Sequence, residues 1–246
     1  PYGCVATGDE VGLIEIVKNA NTVAGILACA GNEDKGRPKE MSLYDAATGQ
    51  TVAAKYSIRK WLYLQTTPNV SLEELEKEEM QVRMLEMQSA LVDEDLQQAE
   101  MEKLYPLTKE VEEKFMLSCA GYCVATYVLG IGDRHLDNIM LLPDGHMFHI
   151  DFGFVFGRDP KPLPPPFRFT KEMAEVLGGT EGEMFQQFKS LACQAYNWLR
   201  KSADLILNLL ELMVDARIPD LSVYTNPQAA LDRVKDRFRL DMSDEA

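Results

Sequence analysis

Histidine is scarce in this chain: there are three in 246 residues, and all lie between positions 135 and 149. The five cysteines (Cys4, Cys29, Cys119, Cys123, Cys193) are odd in number and form no Cys-x-x-Cys pair. That excludes a zinc ribbon and a regular disulfide framework and fits a reduced, cytosolic compartment. Cys119 and Cys123 stand one helical turn apart, a spacing that serves to fill a core. Basic residues number 25 against 39 acidic ones, for a net charge of -14, which excludes a broad cationic surface for nucleic acid. No apolar run reaches the roughly 20 residues needed to span a bilayer. The longest, Leu117–Ile131 and Ala203–Val214, read as buried helices, the second apolar nearly all round and so expected in the interior. A phosphate loop ending in Gly-Lys-Ser/Thr is also missing. Gly8–Gly12 ("GDEVG") lacks that ending and reads as a turn. No signal peptide and no internal repeat is visible.

What is present divides unevenly. Residues 1–17 contain two short β-prone runs around that Gly-rich turn. A helix is expected to start between Lys18 and Ile26, followed by the loop "AGNEDKGRPKE", and Ser57–Leu64 reads as a short amphipathic helix. From about 66 to 110 the chain carries a charged helical insert. Ser71 and Glu74 form a capping-box pattern, and apolar residues recur raggedly at Leu72, Leu75, Met80, Met84, Met87 and Leu91. Residues 71–113 hold 14 acidic and 4 basic side chains, most of the net charge. The plain expectation is a solvated surface helix, and the sharper alternative is a partner-binding insert. Phe115–Ile131 reads as a central buried helix. Apolar runs flanking Pro143-Asp-Gly145 read as a β-hairpin. Phe185–Leu199, Ala203–Val214 and a segment near the C-terminus complete a helical second half, and Ser243-Asp-Glu is a helix start signal at the chain's end. The fold class is α+β, mainly helical around one central hairpin.

The chemistry is concentrated in "VLGIGDRHLDNIMLLPDGHMFHIDFG". Phosphoryl transfer needs hard oxygen ligands for a divalent cation and a group to deprotonate or position the attacking hydroxyl. Asp133, Arg134, His135, Asp137 and Asn138 follow the central helix in one tight loop, and the hairpin carries Asp151 back to Asn138. An amide oxygen and a carboxylate then meet as a Mg²⁺ or Mn²⁺ pair. His146 falls in the turn and is expected to be solvated. His149 is expected to be a structural hydrogen-bonding residue beside Asp151. The same histidines and aspartates could also be arranged as a metallohydrolase cluster.

"LGIGDRHLDNIM" with "FHIDFG" resembles the catalytic and metal-binding loops of the phosphatidylinositol 3-/4-kinase superfamily. The resemblance implies a protein-kinase-like C-lobe at 18–246, with 1–17 supplying the last N-lobe strands and the hinge. It implies ATP as a substrate, with adenine held at Glu15, Ile16 and Val17 above a floor of Met140 and Ile150. It places His135, Asp133 and Arg134 in the catalytic loop and Asn138 and Asp151 on the metal. By spacing against protein kinases the base is Asp133; by resemblance to lipid kinases it is His135, which we favour because imidazole accepts a proton near neutral pH. Arg134 reads as a structural member of that loop.

"SCAGYCVATYVLGIGDRH" is most like class I phosphatidylinositol 3-kinases, whereas "GRDPKPLPPPFRFTKEM" and "FRLDMSDEA" are most like class III. The loop after Asp151 has only scattered basic residues, of which Arg158, Lys161 and Arg168 are the substrate-binding candidates, with Lys171 just beyond. That suits plain phosphatidylinositol better than a polyphosphorylated head group. Four prolines (Pro162, Pro164, Pro165, Pro166) stiffen this loop, and Leu163, Phe167 and Phe169 are expected to meet the membrane. The implied enzyme is cytoplasmic, peripheral to endosomal or other intracellular membranes and connected with autophagy, with regulatory protein subunits, no nucleic-acid partner and no transmembrane segment. Two other readings stay open: a related protein Ser/Thr kinase, and a non-catalytic truncated kinase fragment. The strand bearing the ATP-binding lysine is expected to lie before Pro1, so ATP binding to residues 1–246 alone is expected to be weak.

Overall fold

The longest helix sets the frame, and everything that bears on the site is packed on it or leaves from its end. The computed structural model describes residues 2–8, 11–28, 42–45, 50–53, 57–67, 70, 72–88, 94–214 and 228–242. Strands β1 (Cys4–Gly8) and β2 (Val11–Ile14) form an antiparallel hairpin whose residues are all exposed. Strand β3 (Asn21–Thr22) runs directly into helix α1 (Val23–Leu27), where the Thr22 hydroxyl accepts from Gly25 N–H at 3.0 Å. A second hairpin, β4 (Ser42–Asp45) and β5 (Gln50–Ala53), was not foreseen from the sequence. Helix α2 (Ile58–Thr66) begins where Ser57 accepts from Lys60 N–H. The insert forms two helices, α3 (Leu72–Gln88) and α4 (Glu94–Leu104). Ser71 and the Ser243 start signal lie outside the described residues.

Helix α5 (Lys109–Leu129) starts six residues before the expected Phe115. Thr108 caps it through Val111 N–H, and Glu110 and Glu112 complement its N-terminus, a polar first turn that hydrophobicity alone does not register. It stops at Gly130, whose φ of 59° is open to glycine. A single 3₁₀ turn (Leu136–Asn138) leads into β6 (Ile139–Leu141) and β7 (Met147–His149), the expected central hairpin. With β3 they make a three-stranded sheet in the order β3-β6-β7. Helices α6 (Lys171–Val176), α7 (Glu183–Lys201), α8 (Ala203–Val214) and α9 (Gln228–Arg237) complete the described chain.

The main core joins Phe115 and Cys119 of α5 to Ile58 and Trp61 of α2, Leu141 of the hairpin and Phe188 of α7. A second cluster sets Val124 and Val128 of α5 against Phe156, Val234 and Phe238. Among the described residues no helix is long and apolar enough to cross a membrane.

Two expectations are corrected here. Helix α8 is not interior. Ile206, Leu207 and Leu210 pack inward, but Leu205 and Leu212 are 62% and 76% exposed, because among the described residues neighbours cover one side only. Nor is the insert merely solvated. Glu76, Glu79 and Met80 of α3 are buried, and Lys60 of α2 reaches Glu76 at 3.0 Å and Glu79 at 3.2 Å. The Tyr105 hydroxyl donates to Glu79 at 2.7 Å. Next to it Arg59 donates to Tyr105 O, Val176 O and Glu112, so α2 links α5, α6 and the insert by buried charge-assisted bonds. The side chains of Met84, Met87 and Leu91 lie outside the described set.

Cys119 and Cys123 are buried core residues as expected, and burial pushes the Cys123 thiol up to about 12 and the Cys119 thiol well above its ordinary value. Cys4 and Cys193 are exposed. Thiol reagents at neutral pH are therefore expected to label Cys4 and Cys193 within minutes and to reach Cys119 and Cys123 only on unfolding, read by peptide mass spectrometry. Rapid native labelling of Cys119 would contradict this packing.

Candidate active site

The site is built from two chain segments that leave the end of α5 and return beside it. Residues 129–132 and 154–157 run together: Phe156 N–H donates to Leu129 O, Gly157 N–H to Gly130 O and Gly132 N–H to Phe154 O, at 2.8–2.9 Å. A Cβ at Gly132 would collide with Arg158 O, so glycine permits this approach. Arg134 then joins the segments from within. Its guanidinium donates to Gly132 O and Ile150 O at 2.7 Å and also to Asp151 O, and it lies over the Phe152 ring. With three carbonyls held, it staples the two segments together.

Asp133 and Asp151 both have left-handed backbone, with φ of 54° and 57°. Aspartate tolerates this region better than most residues, and such conformations persist only where the surroundings enforce them. Here the Asp133 carbonyl accepts from His135 N–H and from the Asn138 side-chain amide, both at 3.0 Å. Turning its NH₂ to that carbonyl frees the Asn138 oxygen for another partner. Ile150 N–H donates to Asn138 O at 3.1 Å, so the backbone next to Asp151 is hydrogen-bonded to Asn138 itself. The hairpin thus brings the two expected metal residues together. Asp151 is exposed, and its carboxylate accepts from Gly153 N–H at 3.2 Å. The donor set, an amide oxygen and a carboxylate, suits Mg²⁺ or Mn²⁺.

His135 stands between two carboxylates, with Nε2 at 3.8 Å from Asp133 and Nδ1 at 3.8 Å from Asp137. Both separations exceed a hydrogen bond, and Nδ1 has no partner. Met140 lies two residues along the strand from Asn138, opposite whose backbone Ile150 is bonded; the pleat therefore puts Asn138, Met140 and Ile150 on one face. Of the adenine candidates at the other segment, Glu15 N–H is bonded to Gly3 O, and Ile16 is 87% exposed. Val17 lines a cavity of about 530 Å³ with Tyr2, Tyr122 and Phe148, which Met140 and Ile150 do not line.

His146 is exposed as expected and holds Asp144 at 3.0 Å. His149 departs from expectation. It is buried, stacks on Tyr122 with centroids 4.8 Å apart, and neither ring nitrogen has a hydrogen-bond partner. Burial, followed by the Arg134 charge, lowers its pKa to about 3 and keeps it neutral. Facing α5 as an aromatic plate, it is not available beside Asp151, and among the described residues no group of three or more His, Cys, Asp or Glu is arranged to hold a metal. The metallohydrolase arrangement therefore lacks its ligands there.

In the loop beyond, Arg158 lies over the Phe154 ring, Lys161 is exposed, and Arg168 is half-buried with Nε unpartnered. Leu163 is 98% exposed and Phe167 39%. Phe169, expected with them at the loop surface, instead stacks on Phe188 with centroids 4.8 Å apart and packs against the core that anchors the loop's far end. Asp159 was missed altogether. Its carboxylate accepts from Asp133 N–H at 2.7 Å and from Lys161 N–H at 2.8 Å. An aspartate before Pro-Lys signals a local turn, but nothing in that signal reveals the bond to Asp133.

A family model described as "Phosphatidylinositol 3- and 4-kinase" matches residues 1–223. The chain belongs to the phosphatidylinositol 3- and 4-kinase family. It is 53% identical over 142 residues to the root isoform of phosphatidylinositol 3-kinase from Glycine max, covering 58% of this chain and 17% of that protein. Phosphatidylinositol 3-kinase VPS34 of Arabidopsis thaliana is 52% identical over the same shares. Its namesake in Saccharomyces cerevisiae is 50% identical over 55% of this chain and 15% of its own length. The matched part is thus at most 17% of the length of these relatives. The family read from the Asp-Arg-His and Asp-Phe-Gly loops is borne out.

Proposed function

We propose that this phosphatidylinositol 3- and 4-kinase chain supplies the C-lobe (18–246) and hinge (1–17) of a phosphatidylinositol 3-kinase, transferring the γ-phosphate of ATP to the 3-hydroxyl of phosphatidylinositol. The observation that supports this reading is the Arg134-stapled pair of loops, in which the Asn138 backbone carbonyl accepts from Ile150 N–H, one residue before Asp151, and His135 leaves the same turn. In it His135 accepts the hydroxyl proton, and the carboxylates of Asp133 and Asp137 balance the imidazolium that forms. Asn138 and Asp151 would hold the divalent cation, which when bound would neutralise charge on the transferring phosphate. Met140 and Ile150 give the adenine an apolar floor, with backbone groups of Glu15 to Val17 at its edge. Leu163, fully exposed at the crest of the proline-braced loop, inserts into the lipid surface, where burying one leucine is worth about 2 kcal/mol. Sparse charge around Arg158, Lys161 and Arg168 favours the unphosphorylated head group. The names of the relatives support a lipid over a protein acceptor. The site works at an intracellular membrane surface, with regulatory subunits supplied by other chains.

The test is product analysis. The complete protein, given ATP and phosphatidylinositol vesicles, is expected to yield the 3-phosphate, identified after deacylation by ion-exchange chromatography. A 4-phosphate product, or transfer to peptide alone, would sink the reading. Lys161→Ala is expected to raise the KM for phosphatidylinositol vesicles about 10-fold, as loss of one charged phosphate contact should, while lipid-free ATP hydrolysis is unchanged. An unaltered vesicle KM would remove Lys161 from the substrate contact.

A further inference from the structure

Asp159 takes no part in the chemistry outlined above, yet it bridges the two loops that do. Its two carboxylate oxygens are divided between them: one accepts Asp133 N–H of the catalytic loop, the other Lys161 N–H of the lipid loop. Both are charge-assisted bonds to backbone donors, roughly twice as strong as neutral ones. The connection continues inward. The Asp133 peptide is held on its N–H side by Asp159 and on its carbonyl side by the Asn138 amide and His135 N–H. Asp159 thus reaches the side chain of Asn138 through one left-handed residue. Outward, residues 160–167 are all exposed, and Lys161 N–H ties that stretch back to the body.

Building on the lipid-kinase reading, we propose that Asp159 is a positioning residue that clasps the lipid loop to the catalytic loop, fixing at once the register of Lys161 and Leu163 and the orientation of the Asn138 amide. A clasp of this kind sets where the inositol hydroxyl arrives relative to His135. Misplacement by about 1 Å is enough to lower turnover about 100-fold. Neither loop could compensate alone, because the Asp133 backbone sits in a left-handed conformation that needs support from both sides.

The experiment compares Asp159→Ala and Asp159→Asn in the complete protein by steady-state kinetics and by amide hydrogen exchange. Asp159→Ala is expected to lower lipid kcat on the order of 10–100-fold and to raise the vesicle KM, with the ATP KM within twofold of wild type. Asp159→Asn retains one acceptor oxygen and is expected to recover part of kcat. Exchange should quicken at the amides of Asp133 and Lys161 and stay unchanged in α5. Kinetic constants for Asp159→Ala within twofold of wild type overturn the proposal. So does an equal fall in lipid turnover and lipid-free ATP hydrolysis with faster exchange throughout the lobe, which would make Asp159 a general fold support. If wild-type protein leaves phosphatidylinositol unphosphorylated, the functional reading fails by itself, and unchanged exchange at Asp133 and Lys161 still decides against the clasp.

Discussion

Replacing Asp151 by asparagine is expected to reduce lipid turnover by about 10³-fold or more, because a bound cation contributes several kcal/mol to stabilising charge in phosphoryl transfer. Asparagine is the informative choice. Asp151 occupies a left-handed conformation that Asp and Asn tolerate better than Ala, and among the described residues its carboxylate accepts from Gly153 N–H, which an amide oxygen can still do. The side chain is exposed, so the exchange buries no new polar atom. The melting temperature should stay within about 2 °C of wild type, in line with a surface change of under 0.5 kcal/mol. Titrating Mn²⁺ at saturating ATP should show the apparent affinity for the metal weakened together with kcat. Turnover within tenfold of wild type, with an unmoved metal titration, would remove Asp151 from the metal. Asn138→Ala is a less direct probe, since that amide also holds the Asp133 carbonyl and its loss disturbs the loop as well as the ligand set.

The parts of this site that were legible in the sequence are local ones. Asn138 and Asp151 are joined by a hairpin whose two apolar runs and Pro-Asp-Gly turn are continuous in the chain, so their meeting follows from register alone. Gly130 ends α5 by a similarly local rule. Long-range structure left no such trace. The Arg134 staple depends on carbonyls from two loops, and the Asp159 clasp spans 26 residues. Phe169 looked like part of a membrane-facing loop because the sequence does not show that α7 delivers Phe185 and Phe188 beneath it. The apolar content of α8 was equally readable, but which of its faces found a neighbour was not. His149 was expected to hydrogen-bond beside Asp151, two residues on, but β7 ends at His149, which stacks on Tyr122, and Asp151 leaves the strand direction with a left-handed backbone.

The insert makes the same point with larger energetic consequences. Lys60 lies between Arg59 and Trp61 on a short amphipathic helix, and a lysine there is ordinarily solvated. Its burial results from α3 arriving 16–19 residues later with two carboxylates, whose own burial depends on the lysine. The side chains of Lys60, Glu76 and Glu79 are 1%, 8% and 0% exposed. Lys60→Met should fill similar volume while removing the cation that reaches both carboxylates. Breaking a buried ion pair on one side in this way destabilises by about 3–5 kcal/mol. For a chain of this size that is a fall in melting temperature on the order of 10 °C, readable by calorimetry. The triple variant Lys60→Met, Glu76→Gln, Glu79→Gln removes all three charges, keeps an acceptor oxygen for the Tyr105 hydroxyl and should regain most of the loss, because a buried ion cluster replaced by neutral groups of similar volume is often no less stable. A shift of under 2 °C for Lys60→Met would mean that the insert rests on the lobe without depending on this lysine, and the acidic block would then be the solvated appendage its composition first implied.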